Sequence, residues 1–483
     1  MRLFPLLLAI AGAAFSTAAQ EPVLVKDINP GGSSGIDAMI CFDGKVYFSA
    51  NDGSHGAEPW VSDGTPAGTL MLRDINTGTA ASYPGPFIAF NGSVYFGASN
   101  GVNGEQLWMT DGTLAGTTVV PEIYEGFTNA VGFTVFDGRI YFQGTTDASG
   151  AELWATDGTV AGTRLVKDII PGAAGSYPGH FAVLGDRIYF SASDGNTGSE
   201  LWASDGTDAG TILVKDIYTG SGSSNPDQFA VLGSKLVFAA YDIAHGNEPW
   251  ITDGTTDGTM LLKDIHAGPD ASSSPHDFCT FNGRAYFGAG TRDTGGELWV
   301  SDGTTDGTTL FMDIFPGSPS SQPRRLTSFN GQLYFTAMSN YDDATQLWRS
   351  DGTVAGTAAM FDAAHTAGPL DQNKIVRGCG GLIYFDAIYS VPIGKELYTL
   401  TVPTGIGEHE ALSLQPWPNP SEGMVHLPYT PGGKVSVFTT DGRLLLQRGA
   451  TTELDVTALP VGAYVVRLMD ARGNAQVARL LKR

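Results

Sequence analysis

One phrase recurs seven times in this chain: a Trp, one variable residue, Ser or Thr, and then Asp-Gly-Thr. The tryptophans are Trp60, Trp108, Trp154, Trp202, Trp250, Trp299 and Trp348, spaced by 48, 46, 48, 48, 49 and 49 residues. A fixed period of this length marks stacked supersecondary units, none of which can bury its apolar face alone. The phrase therefore constrains architecture before it says anything about activity.

One full unit carries four strand signals. Phe181 to Leu184 is apolar, Arg187 to Ala192 is rich in β-formers, and Glu200 to Ala203 and Ile212 to Ile217 follow, each pair split by a Gly-containing turn. Short strands between such turns make antiparallel hairpins, and four per repeat is the content of a propeller blade. Other landmarks raise the count to eight. The aromatic strand recurs at Tyr47-Phe48, Tyr95-Phe96, Tyr141-Phe142, Tyr189-Phe190, Val237-Phe238, Tyr286-Phe287, Tyr334-Phe335 and Tyr384-Phe385. The last unit ends in Glu396-Leu397-Tyr398, with Tyr398 in the place of Trp. The expected fold is all-β: an eight-bladed β-propeller of four-stranded blades over residues 20–400, a linker at 401–411, and a small β-sandwich at 412–483.

Two blade registers fit. A Lys-Asp-Ile strand opens the array at Leu24 to Ile28, ahead of the first aromatic strand. If that strand is outermost, Val23 to Ile28 completes the last blade and closes the ring. The long Gly/Ser/Pro loop after each copy favours this, because crossing from outer to inner strand needs length. Pro59 and Pro249 beside Trp favour the other register, since Pro is tolerated mainly on edge strands.

The repeated residues read first as scaffold. A Trp in every blade fills the space between sheets, with its indole N–H on a polar neighbour. Sugar stacking is the functional alternative. The turn aspartates Asp63, Asp111, Asp157, Asp205, Asp253, Asp302 and Asp351 cap their own turns, and the following Gly supplies positive φ. The carboxylates of the Lys-Asp-Ile strand, Asp27, Asp74, Asp168, Asp216, Asp264 and Asp313 with Glu122 and Asp362, are the candidate metal ligands. Pairing with donors at strand ends is the plain reading. A ring of them would suit calcium, a hard cation that takes oxygen ligands. The turn Asp194 to Gly198 is superficially like a calcium loop, but Asn100 to Gly104 and Asp242 to Gly246 do not keep the ligands. No other cofactor is expected.

The start reads as a secretory signal over residues 1–19. Arg2 precedes the apolar run Leu3 to Ala14, and Thr17-Ala18-Ala19 is a small-residue cleavage site, which would leave Gln20 first. The run is too short to span a membrane, and no other stretch reaches the required length. Residues 21–403 carry 43 acidic and 18 basic side chains, against 7 and 8 in residues 404–483. Such an array repels nucleic acid and anionic lipid. A soluble monomer acting outside the cytoplasm is expected. Cys41, Cys279 and Cys379 are odd in number and widely spaced, which reads as buried thiols rather than a disulfide framework. Still, Cys41 and Cys379 occupy similar places in the first and last repeats, and a closed ring would make them neighbours. No Gly-x-Ser-x-Gly, His-Glu-x-x-His, Walker loop or EF-hand spacing occurs, so no catalytic residue is assigned. The eight histidines share no common place in the repeat.

Glu-Leu-Trp-x-Ser-Asp-Gly-Thr-x-x-Gly-Thr, as at Glu200 to Thr211, resembles the ELWxxDGT repeat of bacterial secreted proteins, over roughly residues 23–400. That resemblance implies an extracellular propeller and little about its role. Asp194, Thr197, Gly198 and Trp202 also resemble, more faintly, the tryptophan-docking motif of eight-bladed quinoprotein dehydrogenases. The adjacent cysteines or metal cluster of a pyrroloquinoline site do not accompany it. In the tail, Pro416-Trp417-Pro418-Asn419-Pro420, Asp441-Gly442-Arg443 and Leu459 to Arg467, with the basic end Lys482-Arg483, resemble in order the type A C-terminal sorting domain of the Bacteroidetes type IX secretion system. Trp417 stands where Tyr is usual. An Ig-like adhesion module is the alternative. The resemblance implies that residues 412–483 engage the secretion machinery, that the protein passes through the periplasm, and that it is then released or attached to the surface. The functional expectation is non-catalytic binding of an extracellular glycan or protein. The alternatives are a hydrolase or lyase with an acidic pair at the channel mouth, and a calcium-stabilised surface protein.

Overall fold

The computed structural model describes residues 22–102, 104–120, 129–268, 271–341, 345–360, 376–388 and 393–401. In the tail it describes 423–427, 434–439, 444–449, 453–460, 462–469 and 475–482. The predicted signal segment, Glu122, Asp362, the linker beyond Thr401 and the Pro-Asn-Pro and Asp-Gly-Arg motifs lie outside these residues. The chain divides into two compact units, Met1–Val402 and Pro403–Arg483.

The first unit is an all-β ring of eight four-stranded sheets. In the fourth blade the order is Gly179–Leu184, Arg187–Ser193, Ser199–Ser204 and Ile212–Lys215, each strand antiparallel to the next. The first strands of successive blades lie against one another around the centre, so the first strand is innermost and the Lys-Asp-Ile strand outermost.

Side chains alternate faces along a strand, so adjacent Tyr and Phe serve opposite sides of one sheet. Both sides are covered by neighbouring blades. Tyr189, Leu201, Val214 and Ile217 of one blade pack on Leu236, Phe238, Ala240 and Trp250 of the next. The eight Phe residues of the aromatic strand are almost fully buried. This interleaving explains why a single repeat cannot stand alone.

The ring closes in the first of the two registers. Val23–Lys26 pairs antiparallel with Glu396–Thr401 as the outermost strand of a sheet otherwise built from Val376–Cys379, Leu382–Ala387 and Glu396–Thr401. Pro59 and Pro249 sit on third strands, paired on both sides rather than at an edge. Their carbonyls still accept from Leu72 and Leu262 at 2.8 and 2.9 Å. The missing N–H is tolerated there because the outer partners are only two residues long, Leu70–Met71 and Met260–Leu261.

Two of the three cysteines are bonded rather than buried thiols. Cys41 and Cys379 form a disulfide, Cα–Cα 5.4 Å, between the inner strands of the first and last blades. Wide sequence spacing is no obstacle, since ring closure brings repeat one beside repeat eight. Cys279 stays free, and burial pushes its thiol up to about 11.

The Glu of Glu-Leu-Trp, which the sequence reading passed over, is a repeated internal clamp. Glu58, Glu152, Glu200, Glu248, Glu297 and Glu396 are fully buried. Glu200 accepts the N–H groups of Ile217 and Ser224 at 2.7 and 2.9 Å and the Ser224 hydroxyl at 2.6 Å, so the third strand grips the loop that leads to the next blade. Burial raises the pKa of all six, Glu396 to about 7, against the opposing pull of these donors. The unfolded carboxyl titrates near 4.5, so between these values the folded chain binds more protons. The resulting stabilisation is present below pH 4.5 and lost as pH rises through 7. Thermal scans should therefore show a melting temperature that falls between pH 5 and pH 8. Glu396→Gln should flatten that slope, and a rising slope would refute the assignment. The turn aspartates work oppositely. Their pKa values are depressed by Thr donors, so their contribution disappears as pH falls below the ordinary carboxylate range.

The second unit has one sheet in the order Leu444–Gly449, Lys434–Thr439, Gly462–Met469, Ala475–Lys482, and a pair Met424–His426 with Glu453–Asp455. Val425, Leu454 and Val456 bury against Val435, Val437, Val466 and Leu480, so the two sheets share one core, a small β-sandwich.

Candidate functional site at the channel mouth

The residues that gave the repeat its signature are held inside it. Trp60, Trp108, Trp202, Trp250, Trp299 and Trp348 are buried to within 5–8% of full cover, and Trp154 is half-buried. Trp108 and Trp348 donate to the Ala98 and Ala337 carbonyls at 3.2 Å. The indole nitrogens of Trp60, Trp202, Trp250 and Trp299 are buried with no partner among the described residues. Burial leaves none of the six a face for a ligand.

The turn aspartates are engaged locally. Asp205 Oδ1 accepts the Thr207 N–H and hydroxyl at 2.9 and 2.7 Å, and Thr207 Oγ1 accepts from Gly210 at 2.9 Å. The same network recurs at Asp63, Asp111, Asp157, Asp253, Asp302 and Asp351. The Gly of each turn has a second reason to be Gly. Gly206 has φ +87°, and the Tyr141 hydroxyl of the preceding blade occupies the space a Cβ would need. Gly206→Ala should cost about 1–3 kcal/mol from backbone strain alone, read as a lowered urea midpoint at unchanged slope.

Asp27, Asp74, Asp168, Asp216, Asp264 and Asp313 lie one per blade just beyond the outermost strands. Asp74, Asp168, Asp216 and Asp313 accept through Oδ2 from the N–H of the Gly four residues on, at 3.2–3.4 Å. All six leave Oδ1 buried without a partner among the described residues. Among the described residues no three His, Cys, Asp or Glu side chains converge as a metal site. In the Asp194 turn, Oδ1 is taken up by the N–H groups of Asn196 and Thr197, both at 2.8 Å.

The repeats differ at the start of the inner strands. Five of these open with a β-bulge whose second residue has positive φ: Ala38, His180, Gln228, Asp277 and Arg325, at 46–56°. Bulges re-aim side chains, and non-Gly residues held at positive φ concentrate at functional sites. Here the bulge recurs while its side chain changes from blade to blade, placing His180, Asp227, Gln228, His276, Asp277, Arg324 and Arg325 around one end of the channel.

These groups are coupled across blades. Gln228 Oε1 accepts the Asp277 N–H at 3.0 Å. Asp277 Oδ2 lies 3.8 Å from Arg324 Nη1. Burial raises Asp227, against the opposing fields of His180 and His276. Burial also lowers His276, whose Nδ1 lies 2.9 Å from the Ser274 carbonyl. One level deeper, Arg377 of the last blade pairs with Tyr384 as Thr327 pairs with Tyr334. Arg377 is exposed to solvent yet crowded by its surroundings, and that crowding with the neighbouring Arg325 holds its guanidinium below the usual range. A cavity of about 150 Å³ lies between these blades, lined by Asp277, Arg325, Leu326, Thr327, Val376 and Arg377. The spacing of the repeats gave no sign of this constellation, because its members occupy positions where the repeat has no consensus.

Residues 415–483 match the Secretion system C-terminal sorting domain. The tail is a secretion sorting domain. The protein is thus a type IX-sorted propeller, secreted through the periplasm to the cell surface or beyond, and the sorting domain is its contact with the secretion machinery. Among the described residues no helix is long and apolar enough to cross a membrane. No curated protein matches the chain. Solved structures similar to it include a prolyl endopeptidase, with 10% identity, TM-score 0.48, and coverage of 92% of this chain and 56% of that one. A puromycin hydrolase gives 13%, 0.43, 76% and 61%. A Mycobacterium tuberculosis puromycin-hydrolysing peptidase gives 11%, 0.45, 76% and 60%. The chain spans less than two thirds of the length of each.

Proposed function

We propose that this sorted propeller is a non-catalytic binding scaffold for an extracellular glycan or protein, built from ELWxxDGT repeats in a Bacteroidetes cell. The observation that carries the reading is the non-repeated polar set on the recurring inner-strand bulges. A rigid frame presents side chains that differ blade by blade at one end of the channel, which is how a repeat scaffold gains specificity. Glycan arrays and pull-downs with the secreted protein test it. Selective capture supports the reading, and uniformly empty arrays and pull-downs overturn it.

A second reading is favoured by Asp227. Its carboxyl is raised by burial, and Asp277 stands in the next blade, an unrepeated acidic pair at the channel mouth. Two carboxyl groups held in different surroundings can divide acid and base roles in a hydrolase or lyase. Turnover of a glycan or peptide, abolished by Asp227→Asn with the melting temperature unchanged, would establish it. Turnover that survives the change would dismiss Asp227 from the chemistry.

A further inference from the structure

The propeller is strongly acidic, yet three of the 18 basic residues in 21–403, Arg324, Arg325 and Arg377, gather at the inner strands of its last two blades. Arg324 faces Asp277, which offsets part of the charge. Arg325 and Arg377 both line the 150 Å³ cavity, and Arg325 raises the cost of the charge on Arg377. Among the described residues no carboxylate makes an ion pair with Arg377, and Cys279, its thiol at about 11, supplies no anion at neutral pH. Two guanidinium groups around a small cavity form an anion receptor, because the planar fork matches a carboxylate through paired N–H donors.

A second feature lies on the same face. Among the described residues, the loops entering six inner strands hold a residue of positive φ, and in five of them its N–H bonds to the preceding blade, such as Tyr177 to the Ala151 carbonyl at 3.0 Å. Gly35, Asn225, Ser274 and Gln322 fill the position in four blades, but Tyr83 and Tyr177 fill it in two, both with φ 52°. A bulky aromatic there is a steric outlier. Neither side chain is compensated by burial, being 76% and 68% exposed. Tyr177 leads into the fourth blade, which in an eight-bladed ring stands opposite the eighth, where Arg377 sits. Exposed rigid aromatics suit the apolar face of a sugar ring, since they offer large contact area with a polar tip.

We propose that the channel mouth binds an acidic saccharide, with Arg325 and Arg377 holding a uronate carboxylate and Tyr83 and Tyr177, on the same face across the ring, stacking on sugars further along the chain. Asp277 and Thr327, in the same cavity wall, accept from or donate to the sugar hydroxyls. The inference rests on the binding-scaffold reading and names its ligand class.

The test is calorimetric titration of the full secreted protein with tetragalacturonate, its methyl-esterified form, a sulfated oligosaccharide and poly-glutamate. Tetragalacturonate should bind and lose affinity as salt rises. Methyl esterification should weaken it at least about tenfold, as expected for a charge-assisted bidentate contact. Arg377→Ala should abolish binding and Arg377→Lys should recover only part of it. Should the Arg377 variants melt early, Tyr177→Ala, at an exposed site, should still reduce affinity at an unchanged melting temperature. Sulfated ligand binding more tightly than uronate would replace the carboxylate with a sulfate ester and overturn the uronate assignment. Equal affinity for the esterified ligand, or tighter binding of poly-glutamate, would overturn the acidic-saccharide site. Neutral glycans or proteins captured in its place would leave the scaffold reading intact, whereas no capture at all would remove both.

Discussion

Reducing Cys41–Cys379, or replacing both by Ser, should lower the melting temperature by about 5–8 °C, the largest loss expected from any pair of atoms in the chain. The bond joins residues 338 apart. In the chain-entropy account, a loop of that length restrains the unfolded state by about 5–6 kcal/mol, more than a short loop would. The export route makes the bond chemically sensible, since disulfides persist in the periplasm and outside the cell. Cys279 provides the control. It is unpaired, so Cys279→Ser should leave the response to reductant unchanged. Identical melting curves with and without reductant, in a protein whose free-thiol count rises from one to three, would show that blade packing alone sets stability.

The fold was legible because its periodicity is built from packing and turn chemistry. Trp, Tyr-Phe and Asp-Gly-Thr each satisfy one local need in every blade, so each left a mark every 46–49 residues. The closing strand was readable for the same reason, as an extra Lys-Asp-Ile copy at Leu24 to Ile28. The disulfide was harder to read because linear spacing hides proximity that only closure creates. The Glu clamp was visible as a repeated letter, but its role depends on a loop that reaches back to it 17 to 24 residues later. The candidate site was nearly illegible. Asp227, Asp277, Arg325 and Arg377 share no motif and belong to different blades. Only the recurring bulge, a backbone feature with no fixed side chain, gathers the first three, and Arg377 joins them from an inner strand that has no bulge.

Removing the closing strand should be the second severe lesion, and one substitution isolates the cause. Along Val23–Lys26, Val25 is 1% exposed while Val23 is 61% exposed. Val25 packs with Ile28, Phe48, Trp60 and Leu397 at the seam between the last and first blades. A charge placed there is unpaired in an apolar seam, so Val25→Asp should cost about 3–5 kcal/mol. Val23→Asp, two residues away on the same strand, should stay within about 0.5 kcal/mol. Deleting residues 22–28 goes further. It leaves Glu396–Thr401 as an open edge and strips Glu396 of the Ile28 N–H. It also removes the Lys26 contacts to Thr69 and Trp60. An exposed edge strand templates pairing with another chain, so the truncated protein should elute as oligomers where the intact chain does not. Strand and disulfide bridge the same seam, so their losses should not add. Val25→Asp in the reduced protein should cost more than the sum of the two separate changes, because either closure alone still holds blade eight against blade one. Strict additivity would mean that the two closures act independently.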